Sequence, residues 1–100
     1  MEIEKILREL RVDNYYRGYY YLAAALRLLL KNGVLHYNMK QLYTEIKETY
    51  ALTSEHAVER AIRYAVSNSR LPGHSNKSFL FFAYELLRER YPNYDNDSFR

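Results

Sequence analysis

The chain has 100 residues, 48% hydrophobic and 27% charged, with only three Gly and two Pro, a composition that fits one globular domain rather than a disordered or fibrous segment. It contains no Cys, which excludes disulfides, thiolate catalysis and Cys-based zinc sites. A net charge of +3 is too mild to identify a partner by itself.

The start, Met1-Glu2-Ile3-Glu4, is acidic, unlike the basic start of a secretory signal. The longest apolar run, Tyr19 to Leu30, contains Arg27 and falls short of the roughly 20 residues of a membrane span. With the lack of Cys, these features are compatible with a cytoplasmic chain that has no membrane partner.

Hydrophobic periodicity predicts an all-α bundle of about five helices in a domain over residues 1–92, with 93–100 as a disordered tail. Ile3, Ile6, Leu7 and Leu10 form a stripe on a first helix reaching Arg11. Asp13 or Asn14 is expected to cap a second helix, about 15–31, stopped by Asn32-Gly33. It is apolar on most faces and is expected to be central to the core. Asn38, with Gln41 three residues on, caps a third helix carrying Met39, Leu42, Tyr43, Ile46 and Tyr50 on one face.

Thr53 or Ser54 caps a fourth helix that reaches about Asn68. A loop with Pro72-Gly73 follows, and Asn76 is expected to cap a fifth helix ended by Pro92. On that helix Phe79, Phe82, Ala83, Leu86 and Leu87 are expected to face the core. Leu80, Phe81 and Tyr84 are left outside, an apolar set that suggests a partner.

The stretch 39–69 carries the functional signal, because two helices joined by a short turn allow a helix-turn-helix. Ala57, Val58, Ala61, Ile62, Ala65 and Val66 fall on one face of the fourth helix. The opposite face carries His56, Arg60, Arg63 and Ser67, flanked by Glu59 and Tyr64. Arg can donate two parallel hydrogen bonds to guanine O6 and N7, and Glu can accept from cytosine N4. Spacing alone favours a solvated Glu59–Arg63 pair at i, i+4 over base reading. The charge distribution favours DNA. No acid lies in 14–44, where Arg17, Arg27, Lys31 and Lys40 fall, nor in 60–84, where Arg60, Arg63, Arg70 and Lys77 fall.

The run Val58-Glu59-Arg60-Ala61-Ile62-Arg63-Tyr64-Ala65-Val66 resembles VERAIRHAI, the recognition-helix signature of the C-terminal DNA-binding domain of the stage zero sporulation protein A family. Arg17-Gly18-Tyr19-Tyr20-Tyr21-Leu22 is similar to that family's KGYxYL. Leu42-Tyr43 with Ile46 is similar to its LYxxI, and Asn76 with Phe79 to the start of its last helix. The resemblance implies an all-α, helix-turn-helix transcriptional regulator of sporulation. It would bind double-stranded, AT-rich promoter boxes, pairing as a dimer on tandem half-sites. It implies base reading by Glu59, Arg60 and Arg63. Lys40, Ser54, His56, Ser67 and Arg70 are expected to touch phosphates or the periphery.

Three features depart from the family pattern. The turn before the fourth helix is one residue longer, Lys47 stands where a small Ala is usual, and a Trp that often follows the signature is missing. A chain of this length has no room for the family's phosphoacceptor receiver domain, so control by phosphorylation within it is not expected. These departures leave open a second class of function, a protein-interaction module that binds itself or a longer family member through the fifth helix.

His36, His56 and His74 lie far apart without ligand spacing, and no nucleophile elbow or Gly-rich phosphate loop is present. The sequence therefore calls for no enzyme activity, cofactor or metal.

Overall fold

The computed structural model describes residues 2–34 and 38–93. The expected tail beyond Asn93, and His36, lie outside the described residues. Five α-helices form among those described: α1 (Glu2–Glu9), α2 (Arg17–Asn32), α3 (Met39–Thr49), α4 (Glu55–Ser67) and α5 (Asn76–Arg90). Their order is the expected one, and α2 touches each of the other four. Leu22, Leu26 and Leu29 of α2 are fully enclosed, with Ile3, Ile6 and Leu7 of α1, Ile46 of α3, Val58 and Ile62 of α4, and Phe79, Leu80 and Leu87 of α5.

The tightest contact is between α2 and α4. A Cβ at Gly18 would stand 2.3 Å from the Ala61 carbonyl oxygen and 2.8 Å from the Ala65 Cβ. Only a residue without a side chain allows the two backbones this close, and Ala61 and Ala65 supply the small surface opposite. The small-residue stripe of α4 is therefore docked directly on the start of α2.

The helix ends differ from expectation in three places. First, α1 stops at Glu9, because Arg11 takes a left-handed conformation (φ 59°). The Val12 N–H donates to the Leu7 carbonyl and the Arg11 N–H to the Arg8 carbonyl, a Schellman closure. Second, neither Asp13 nor Asn14 caps α2. Asp13 Oδ1 accepts from the Tyr15 N–H in the preceding turn, and extended Tyr16 occupies the cap position with no side-chain bond. Third, Ser75 rather than Asn76 caps α5, its Oγ accepting from the Ser78 N–H.

The rotation of α5 also differs. Leu80 is buried and Phe82 is 46% exposed, the reverse of the expected assignment. Residues 79–84 are an unbroken apolar run, so periodicity leaves the phase open there, and Phe82 shares the exposed face with Ser78, Glu85 and Glu89. Burial of Asn76 fixes that phase and places Phe79, Leu80, Ala83 and Leu87 inward with it.

Candidate nucleic-acid interface

The α3 and α4 pair packs across a turn at residues 50–54. At its first end, α3 starts with a full capping box: Asn38 Oδ1 accepts from the Gln41 N–H, and Gln41 Oε1 accepts from the Asn38 N–H. At its other end the chain reverses through Ala51, which is left-handed at φ 53°. The Leu52 N–H donates to the Lys47 carbonyl and the Ala51 N–H to the Glu48 carbonyl, a second Schellman closure. Ser54 then caps α4, its Oγ accepting from the Ala57 N–H at 3.1 Å. Lys47 spans the turn, with Nζ 2.9 Å from the Glu55 carboxylate. The longer turn thus has its own closure, and Lys47 ties the end of α3 to the first residue of α4.

On α4 the buried stripe is as expected, with Val58, Ile62, Ala65 and Val66 inside and Ala57 and Ala61 partly covered. His56, Arg60, Arg63, Tyr64 and Ser67 are exposed. Arg60 and Arg63 project from adjacent turns. Arg63 is partnered, its Nε lying 3.4 Å from Glu59 Oε2. Arg60 makes no ion pair among the described residues. Glu59 is half-buried and faces the protein on its other side. Asn76 Nδ2 donates to the Glu59 carbonyl at 3.1 Å and lies 3.5 Å from Glu59 Oε2. The same amide reaches the Tyr43 hydroxyl at 3.1 Å. Burial pushes the Tyr43 phenol up, with the Asn76 hydrogen bond pulling the other way, and it stays protonated at neutral pH.

A groove of ≈ 860 Å³ opens between the start of α2 and α4. Its walls are Tyr15, Tyr16, Arg17 and Gly18 on one side and Ala57, Arg60, Ala61, Arg63, Tyr64 and Ser67 on the other. Three Arg and three Tyr line it, and no carboxylate does. Tyr15 is 91% exposed, and Tyr16 packs edge-on to Tyr64 with ring centroids 5.2 Å apart. Such walls offer positive charge, planar donors and phenol hydroxyls, the groups that contact nucleic-acid backbones.

Of the expected site residues, the fold brings Arg60, Arg63 and Ser67 to this groove, while Glu59 sits beneath Arg63. His56 is exposed on the first turn of α4, and Ser54 precedes it as the cap. The Ser67 hydroxyl donates to the Tyr64 carbonyl. Lys40 is exposed on the first turn of α3. Arg70 is exposed in the loop after α4, where its backbone N–H donates to the Leu10 carbonyl at the end of α1. Neither Lys40 nor Arg70 lines the groove. Sequence reasoning missed Tyr15, Tyr16 and Arg17 as a second wall. The available signal was a cluster of interface-type residues immediately before a glycine, in a stretch without acids.

A five-helix bundle presenting a capped, small-faced helix with outward Arg, joined by a short turn to the helix before it, has the arrangement of a helix-turn-helix domain. The family model for the C-terminal domain of sporulation initiation factor Spo0A matches residues 3–99. The chain belongs to that family, a family of DNA-binding domains of transcription regulators in sporulation. No solved structure matches it. Among the described residues, no helix is long and apolar enough to cross a membrane.

Proposed function

We propose that this chain is a sequence-specific DNA-binding transcriptional regulator, acting in the cytoplasm on AT-rich promoter boxes and pairing on tandem half-sites. The observation that carries this reading is the outward face of α4, where exposed Arg60 and Arg63 stand one turn apart beside an acid-free groove. Arg60 and Arg63 donate to base edges in the major groove, and Glu59 contributes an acceptor at its edge. Lys40, Ser54, His56, Ser67 and Arg70 serve phosphates or the periphery.

The test is affinity for a duplex selected from a random pool, compared with a scrambled duplex. Arg60→Ala or Arg63→Ala should each cost about 1–3 kcal/mol on the selected duplex and relax preference at particular base pairs. Equal losses on both duplexes would make these arginines phosphate contacts.

The second reading, a protein-interaction module, is favoured by one observation. Phe82 on α5 is 46% exposed beside Phe81 and Leu86 of the same helix and His74 of the loop before it. It predicts a stable dimer of the free chain, whereas the DNA reading predicts a monomer that pairs on adjacent sites. Sedimentation of the chain without DNA separates the two.

A further inference from the structure

Base reading by an exposed arginine carries an entropic cost. A free Arg side chain samples many rotamers, and fixing it on a guanine edge uses up part of what the contact supplies. A residue that fixes the guanidinium beforehand therefore sharpens discrimination, whether or not it touches DNA itself.

Arg63 is held in this way. Its Nε pairs with Glu59 Oε2 at 3.4 Å, which leaves both terminal amino groups for parallel donation. Glu59 is in turn held from beneath. Asn76, at the first position of α5, is the one buried polar side chain among the described residues. Burying an amide is costly unless it is bonded, so its partners indicate what it is there to hold. Nδ2 donates to the Glu59 carbonyl and to the Tyr43 hydroxyl, both at 3.1 Å, and its distance to Glu59 Oε2 is 3.5 Å. Two amide hydrogens thus face three acceptors. The two short contacts fix the position of α4 against α3 and α5 at residue 59. The longer one places a partial positive charge on the carboxylate that holds Arg63.

We propose that Asn76 is a positioning residue for base recognition: through Glu59 it orients Arg63, and so it sets discrimination at the base pair that Arg63 reads. This rests on the base-reading role proposed for Arg63. The Tyr43 hydroxyl accepts from the same amide nitrogen as the Glu59 carbonyl, so α3, α4 and α5 converge on one nitrogen.

The experiment compares variants of the whole chain on a duplex selected by the wild type, on that duplex with the Arg63-dependent base pair changed, and on scrambled DNA. Asn76→Asp keeps the shape but removes the donor and sets a second carboxylate beside Glu59. It should lower discrimination between the first two duplexes by about tenfold, within what one bidentate contact supplies, while affinity for scrambled DNA is kept. In an Arg63→Ala background, Asn76→Asp should change discrimination no further, because the group it acts through is gone. A merely structural role would weaken binding to all three duplexes in both backgrounds. Helicity by circular dichroism checks the fold. Should the aspartate variant not fold, Asn76→Ala removes the donor without the repulsion and should move discrimination in the same direction.

Unchanged discrimination in a folded Asn76 variant, or equal losses on all duplexes, overturns the proposal. A wild-type chain without preference for any duplex overturns base reading itself, a failure visible before any Asn76 variant is made.

Discussion

The Lys47 ammonium lies 2.9 Å from the Glu55 carboxylate, joining the last turn of α3 to the first residue of α4 across the reversal at Ala51. In a family where a small residue is usual at this position, the lysine supplies a tether instead of a packed methyl. The hydrogen bond from Lys47 holds the Glu55 carboxyl below its ordinary value of 4.5, and the same bond raises Lys47 above 10.5. Glu9 is also lowered, by its bidentate pairing with Arg90 between α1 and α5.

These shifts give the pH dependence a sign. A carboxyl depressed in the folded state adds stability above its unfolded value and loses it as pH falls through the folded one. For Glu9 and Glu55 the loss therefore comes below about pH 4.5. The Lys47 contribution is complete below pH 10.5 and fades only as pH rises through its raised value. Glu9→Gln and Glu55→Gln should each flatten the acid limb of a plot of stability against pH, by lowering stability slightly at neutral pH and leaving the acid end unchanged. An acid limb as steep as the wild type's would show that the pairs are not formed in solution.

Gly18→Ala should be among the most damaging single substitutions. The new methyl would meet the Ala61 carbonyl, a backbone atom of a helix that cannot turn aside. Overpacking of this kind costs about 1–3 kcal/mol. The added separation falls between α2 and α4, so DNA affinity should drop together with Tm. Thermal unfolding and a binding titration on the same sample measure both.

Ala51→Gly should act in the opposite direction. Ala51 sits at φ 53°, where a Cβ costs roughly 1–2 kcal/mol that glycine avoids, less the greater chain entropy of glycine. A net gain of about 0.5–1 kcal/mol is expected in denaturant unfolding, with DNA affinity kept. A loss of stability would mean that the turn does not take this form.

The groove's second wall makes a separate prediction. Arg17 faces Arg60 and Arg63 across the groove and should follow phosphates rather than bases. Arg17→Ala should weaken selected and scrambled duplexes by equal factors and reduce the slope of log affinity against log salt by about 0.9. A change in base preference would instead place Arg17 among the reading residues.

Much of this molecule was legible in order along the chain. The small and branched residues from Ala57 to Val66 recur at helical spacing, and they fixed both the buried face of α4 and its exposed face with Arg60 and Arg63. Local chemistry likewise marked Asn38 with Gln41, and Thr53 or Ser54, as starts, because a side chain that bonds the next turn's N–H acts within a few residues; of the last two, Ser54 is the cap.

Contacts between distant residues were decided only in three dimensions. The phase of α5 goes with Asn76 reaching Glu59 and Tyr43, residues 17 and 33 positions away, and the unbroken apolar run 79–84 leaves that choice open to local pattern. Tyr15, Tyr16 and Arg17 became a wall of the groove because Gly18 lets α2 meet α4 at backbone distance. Sequence pattern determined which residues α1 and α4 bury and expose, since that follows from a period of about 3.6 residues. Tertiary packing decided which exposed residues stand together and which buried amide supports them, since that depends on close approach between segments that no local spacing encodes.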